Sequence, residues 1–380
     1  MIDPNTLWTN MPGFLSESEE IFHKMDIYIK SKEDLQKLES IIQCGINDKT
    51  KSAWFPKKKI ERISSRWIHD PSIPFTDRLK PKYPIYIISK GRAETLLTGK
   101  ALDKVGAIYK VIVEEHEYEQ YRANVPSQNE VIILDPKYKT NYETHDPEGD
   151  ALNLGPGPGP ARNFAWDHSR KNGDEKHWVF DDNVEDFYRF HNNRRVRIRT
   201  PAMFRAIEDF VCRYKNVPIT GLNYRFFCVP NRKLPPFYIN TRVYSFFLLD
   251  NDTNLYWRGR YNEDTDLCLR SLKQGDATLQ FNCLNAGKLR TQVLGGGNTA
   301  EFYAKEGTMR KSALLKKLHP KETKLVWKFS REHHEVDYSA FKDNVLIPVD
   351  NYNDLLPDYD PEYGMKLIDL DDDPKYKLFV

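Results

Sequence analysis

The feature that most constrains this chain is a rhythm that begins at residue 83. Residues 83–89 (YPIYIIS), 109–114 (YKVIVE) and 131–134 (VIIL) read as short buried strands. Residues 89–106 read as a loop and helix, and 116–124 as a second helix. Parallel strands require long crossover connections, usually helical, so this alternation predicts an α/β fold with a parallel, doubly wound sheet. A further helix over 161–171 follows a loop in which Gly and Pro alternate (NLGPGPGPARN), and HWVFDDN then reads as a fourth strand that ends in acids. In sheets of this kind ligands bind beyond the carboxyl ends of the strands. Beyond residue 183 the pattern loosens, with strands expected at 217–221, 225–229, 243–249 and 277–284 and a helix at 263–273.

Three regions are expected. Residues 1–80 read as a small N-terminal α/β accessory module. It has a strand at 26–30 (DIYIK), a helix at 31–42 with a Ser31/Asp34 capping pattern, and a basic end carrying Lys57, Lys58, Lys59, Arg62 and Arg66. Pro71, Pro74, Pro81 and Pro84 punctuate a linker. Residues 81–349 form the main domain. Residues 350–380 read as a peripheral acidic tail, with nine Asp/Glu against one Lys between 350 and 373. Hydrophobic residues make up 39% of the 380-residue chain, enough for a real core. The formal net charge of +2 neither demands nor excludes a nucleic-acid partner. No apolar run of about 18 residues is present, so no membrane span is expected. The start lacks a basic segment followed by an apolar one. The five cysteines contain no CxxC pair, which suits free thiols and a cytoplasmic location.

Several motifs carry chemistry. In Trp178-Val179-Phe180-Asp181-Asp182-Asn183 an apolar strand delivers two carboxylates and an amide to the mouth of a sheet, where a hard divalent cation finds oxygen ligands. Glu263, Asp264 and Asp266 open the 263–273 helix. They cannot all cap it, and Glu263 or Asp264 could act as a general base. Ser89-Lys90-Gly91-Arg92 and Arg162 suit phosphate or ribose contacts. His333 and His334 could complete a metal shell. Arg194, Arg195, Arg197 and Arg199 form the best phosphate-binding stretch. The aromatic–polar run around Tyr238 and Asn240 could stack on or read bases, and the Gly295-Gly296-Gly297 loop could be a lid.

Taken in order, IIxSKGR, PARN, WVFDDN, YNEDTDLCLR and HHEVDY resemble the TET-associated glycosyltransferases over residues 83–349. More distantly they resemble glycosyltransferase families 2 and 7. The resemblance implies a GT-A (Rossmann-like) fold and enzymes of bacteriophages and kinetoplastids, where a relative makes base J. It further implies a nuclear location if the source is eukaryotic and the host cytoplasm if it is viral. The activity implied is transfer of a hexose, glucose, from a UDP-sugar to the hydroxymethyl group of 5-hydroxymethyluracil or 5-hydroxymethylcytosine in DNA, with inversion and with Mn²⁺ or Mg²⁺. It places Ser89, Lys90, Arg92, Arg162 and Asp181 on the donor side, and Asp182, Asn183, His333 and His334 at the metal. Asp264, with Glu263 as alternative, becomes the base. Arg194, Arg195, Arg197, Tyr238, Asn240 and Arg260 become contacts to the DNA acceptor. Read from the residues alone, three other functions stay open: a different acceptor, metal-dependent phosphoryl or nucleotidyl transfer, and a non-catalytic DNA-binding module.

Overall fold

The computed structural model describes residues 3–18, 23–56, 64–289, 309–328, 331–356 and 360–370. The basic residues Lys57, Lys58, Lys59 and Arg62 and the Gly295-Gly296-Gly297 loop lie outside these. In chain order the strands are β1 (Ser65–His69), β2 (Ile85–Ile88), β3 (Lys110–Val113), β4 (Glu130–Ile133), β5 (Lys176–Asp181), β6 (Val184–His191) and β7 (Arg194–Arg199). They continue with β8 (Ile219–Tyr224), β9 (Phe237–Ile239), β10 (Phe246–Asp250), β11 (Thr278–Lys288), β12 (Thr323–Lys328), β13 (Arg331–Val336) and β14 (Met365–Asp369).

Twelve of them form one mixed sheet in the order β14-β1-β7-β6-β11-β8-β10-β5-β2-β3-β4, with β9 added onto β11. The expected parallel block is there: β5, β2, β3 and β4 pair in parallel. It is α/β and Rossmann-like. β2 shows why these runs are apolar throughout. Successive side chains point to opposite faces, and both faces are covered. Ile85 and Ile87 enter a core with Leu102, Val111 and Phe204. Tyr86 and Ile88 enter a second core with Trp166, Phe247, Trp257 and Leu267. The antiparallel β10 separates β5 from β8, and β8 runs parallel to β11. The carboxyl ends of β2, β3, β4, β5, β8 and β11 therefore all open on one side of the sheet.

Several expectations are corrected. Residues 26–30 carry no strand, and residues 225–229 form a turn rather than a strand. The helix Lys32–Ile42 does form, and Ser31 Oγ caps Asp34 N. The boundaries placed at 80 and 350 cut through one sheet. β1 from the expected accessory module pairs in parallel with β7, and β14 from the expected tail pairs with β1. Met11 and Tyr363 are both buried. The apolar spacing of Trp67, Ile68, Met365 and Ile368 is too short to announce this, and the pairing spans some 300 residues of sequence. β12 and β13 form a separate hairpin against the Met309–Leu318 helix.

Candidate active site

A cavity of about 410 Å³ lies at the carboxyl ends of the parallel strands, within the usual size range of small-molecule sites. Six strand ends of the large sheet contribute to it. Ser89 follows β2, Glu114 follows β3, Leu134 follows β4, Asp181 ends β5, Tyr224 ends β8 and Lys288 ends β11.

The apolar strand β5 carries its acids into this cavity. One Asp181 oxygen accepts from Arg162 Nη2 (2.7 Å), the other from Lys288 Nζ (2.7 Å). Burial alone would raise its pKa, but Lys288 and then Arg162 outweigh that and hold it well below the usual carboxylate range. Asp182 accepts from Ser89 Oγ (2.7 Å) and pairs with Arg92 Nη1. Burial pushes Asp182 upward despite Arg92. Ser89 Oγ also meets the Tyr121 hydroxyl, and that same hydroxyl accepts from Arg92 N, so the SKGR loop is pinned to the acids. Lys90 is more exposed and faces Glu114 at 3.9 Å.

Arg162 is the strut of the site. Pro160 and the flanking glycines start the Gly159–Lys171 helix, and Arg162 sits in its first turn. The side chain is buried, lies over Trp257 (4.5 Å to the ring centroid), and spans from Asp181 to Glu263 Oε1 (2.8 Å). The loop before it requires glycine. Gly157 has φ +82°, and a Cβ there would come 3.0 Å from the Arg260 carbonyl oxygen.

The Glu263–Lys273 helix begins at Asn262, itself in the left-handed region at φ 54°. The structure separates its three acids. Asp266 turns inward to Arg258, Arg270 and His319. Glu263 is buried against Arg162. Asp264 is partly exposed to the cavity, and its Oδ1 accepts from Thr265 N (2.7 Å). Burial pushes both Glu263 and Asp264 above the usual carboxylate range; Arg162 opposes this in both, while Asp264 adds to the rise of Glu263 and Asp181 to that of Asp264.

Of the two histidines, His334 lines the cavity. His333 precedes it on β13 and by strand alternation points to the other face, which corrects its expected place in the site. Burial, with Lys311, His333 and Arg242 nearby, pushes His334 down to about 4, so its ring is neutral. Asn183 is buried, and its Oδ1 has no hydrogen-bond partner. Among the described residues no group of three or more His, Cys, Asp or Glu is arranged to hold a metal. The cavity instead offers Asp182, Asn183 Oδ1 and His334 as donors. Asp181 is held by two cations, Arg162 and Lys288, whereas Asp182 is held by one, Arg92.

Two expected acceptor contacts are corrected. Arg260 is fully buried and donates to Asp146 Oδ2 (2.8 Å) and the Leu154 carbonyl (2.6 Å), with Asp150 also paired. It anchors the loop before Gly157. Asn240 is buried and donates to the carbonyls of Phe341 (2.7 Å) and Asn344 (2.8 Å), so it has no surface to offer a base. Tyr238 is exposed. Arg194 donates to Ser65 Oγ, Arg195 to the Arg225 carbonyl, and Arg197 pairs with Asp186. These three lie on β7, which β6 separates from the cavity-lining β11.

Sequence reading missed Lys288, Tyr224 and Lys311, which line the cavity, and took Tyr244 and Ser245, which also line it, only as part of the aromatic–polar run around Tyr238 and Asn240. Lys288 had a signal. It is the one charge at the end of an eleven-residue neutral strand, TLQFNCLNAGK, the same signature that reveals Asp181. It also donates to Ser245 Oγ (2.6 Å). Ser245 stands at φ 61°, a strained position held by its surroundings.

The α/β sheet with a cationic and acidic cleft at its strand ends is consistent with a Rossmann-like glycosyltransferase fold. The sequence model of the TET-associated glycosyltransferase family matches residues 83–297, more than half of the chain, and the chain belongs to that family. No curated protein and no solved structure matches it. Among the described residues no helix is long and apolar enough to cross a membrane.

Proposed function

We propose that this enzyme transfers a hexose, glucose, from a UDP-sugar to the hydroxymethyl group of 5-hydroxymethyluracil or 5-hydroxymethylcytosine in DNA, with inversion. The observation that carries the reading is the division of labour between Glu263 and Asp264. Both acids line the cavity, but Glu263 is buried and gives Oε1 to Arg162, whereas Asp264 is the more exposed of the two, with no cation on its carboxylate among the hydrogen bonds described above. Arg92, Arg162, Lys288 and Lys311 surround the same space, which suits a diphosphate donor. Asp264 accepts the proton of the acceptor hydroxyl as its oxygen bonds the anomeric carbon. The bond from that carbon to the UDP oxygen breaks, and the electron pair leaves with UDP. Arg162 holds Glu263 and Asp181 in register during this step. Ser89, Lys90 and Arg92 orient the donor from the opposite wall. A base stacked in a duplex cannot reach such a cleft, so the acceptor enters flipped out or single-stranded.

Asp182, Asn183 and His334 would hold a Mn²⁺ or Mg²⁺ ion. Carboxylate oxygens have lone pairs beyond those given to Ser89 and Arg92, and Asn183 Oδ1 is an unsatisfied acceptor. When bound, such an ion neutralises charge on the donor diphosphate. Calorimetric UDP affinity with and without Mn²⁺, in the wild type and Asn183→Ala, reads this directly.

The test of the function is mass analysis of nucleosides from DNA containing either hydroxymethylated base, incubated with a panel of UDP-sugars and divalent metal. A hexose-sized gain that disappears in Asp264→Asn supports the reading. UDP release with no gain on DNA moves the acceptor elsewhere, and neither product sinks the donor assignment as well.

A further inference from the structure

The turn that follows β8 is unusual for an exposed segment. Phe226 is 73% exposed and Phe227 46% exposed, although large apolar side chains of this kind normally go inside. Neither is loosely held. Arg225 N donates to the Ala286 carbonyl (2.8 Å) and Phe227 N to the Tyr224 carbonyl (2.8 Å), so the turn is tied to β11 and closed on itself. The two rings continue a stack that leads inward. Phe226 meets Phe227 edge-on at 5.4 Å. Phe227 lies nearly parallel to Tyr224 (5.9 Å, 25°), and Tyr224 nearly parallel to Tyr244 (6.3 Å, 21°). Tyr224 and Tyr244 both line the cavity beside Asp264. The aromatic series thus runs from solvent to the proposed base.

Charge marks what this surface meets. From residue 224 to 244 the sequence has four basic residues (Arg225, Arg232, Lys233 and Arg242) and no acid. Arg225 lies over the Tyr188 ring at 4.6 Å, and Tyr188 pairs across β6–β7 with Arg197. Arg195, one alternation away on β7, donates to the Arg225 carbonyl (3.0 Å). Asp186 is the acid that answers Arg197 and Arg199. The exposed rings are therefore set against a cationic sheet face, the complement of a phosphate backbone. A protein partner that covered only the rings would not need this field.

We propose that Phe226 is the wedge that enters a DNA duplex as the target base swings out. Phe227 and Tyr224 carry the stack from the duplex to the cavity, and Arg195, Arg197 and Arg225 hold the backbone. Apolar side chains inserted between base steps offset the unstacking that flipping requires. The proposal rests on the DNA-acceptor reading above.

The experiment compares initial transfer rates on one hydroxymethylated oligonucleotide, as a single strand and annealed to its complement, for wild type, Phe226→Ala and Phe226→Trp. Phe226 is exposed, so its truncation spares the fold. The expected result is a fall of about tenfold or more in the duplex-to-single-strand rate ratio for Phe226→Ala, with the ratio restored by Phe226→Trp. A 2-aminopurine beside the target base, brightened on binding by the wild type and not by Phe226→Ala, gives a readout apart from turnover. An unchanged ratio and equal fluorescence overturn the wedge while leaving the DNA acceptor standing. Failure of the wild type to modify either form of DNA overturns the acceptor reading itself.

Discussion

At the scale of single residues, the site works by assigning each acid its own cationic or polar neighbours. Glu263, Asp264 and Asp181 share Arg162 as their common field, with Lys311 and Tyr244 near Asp264 from other elements. Burial raises Asp264 above the usual carboxylate range, so the fraction able to accept a proton grows as pH rises. The rate of sugar transfer is expected to increase with pH through an apparent pKa higher than that of a free carboxylate. Glu263→Gln removes a like charge beside Asp264 and shifts this acid limb to lower pH, which a pH profile of kcat/KM checks. Asp264→Asn is expected to lower kcat by about 10²–10⁴ with little change in UDP affinity. Lys288 is a second lever. Its removal leaves the half-buried Asp181 with Arg162 as its one cation, and breaking so enclosed a pair costs about 3 kcal/mol. Urea unfolding of Lys288→Ala reads that loss, and the KM for the donor is expected to rise with it.

At the scale of elements, strand ends and helix starts place the chemistry. The Gly159–Lys171 helix brings Arg162 to Asp181 because the preceding loop packs closely enough to need glycine. Gly157→Ala forces a side chain into the left-handed region 3.0 Å from the Arg260 carbonyl oxygen. It is expected to cost about 1–3 kcal/mol and to weaken UDP binding, measured by thermal unfolding and calorimetry. The neighbouring Arg260, read as an acceptor contact, proves to fasten this loop through Asp146 and Asp150. Charge and position in sequence alone do not distinguish an arginine aimed at a ligand from one buried under a loop.

At the scale of the whole molecule, the two ends of the chain close the sheet. β14 covers β1, and Tyr363, Met365 and Ile368 are buried there. Truncation after Leu356 therefore removes several buried side chains, each contributing about 1.5–3 kcal/mol. A substantial fall in Tm is expected, whereas a peripheral tail would be lost without effect. The edge so formed also carries β7, whose arginines sit beside the turn that bears Phe226.

What the sequence by itself determined is local. Continuous apolar runs and the helical segments between them set the parallel block β2, β3, β4 and β5, since strands buried on both faces and amphipathic helices are written in consecutive residues. The same local logic exposed Asp181, Asp182 and the helix-opening acids, because carboxylates at the end of an apolar run have few structural uses. Tertiary structure alone decided the rest. It paired β1 with β14 across the length of the chain and turned His334 rather than His333 to the cavity. It also gave Glu263 to Arg162, left Asp264 the more exposed of the two acids, and brought Lys288 from β11 to Asp181, 107 residues away. These are choices among residues of the same chemistry, made by which side chain packing buries and which it leaves facing the cleft.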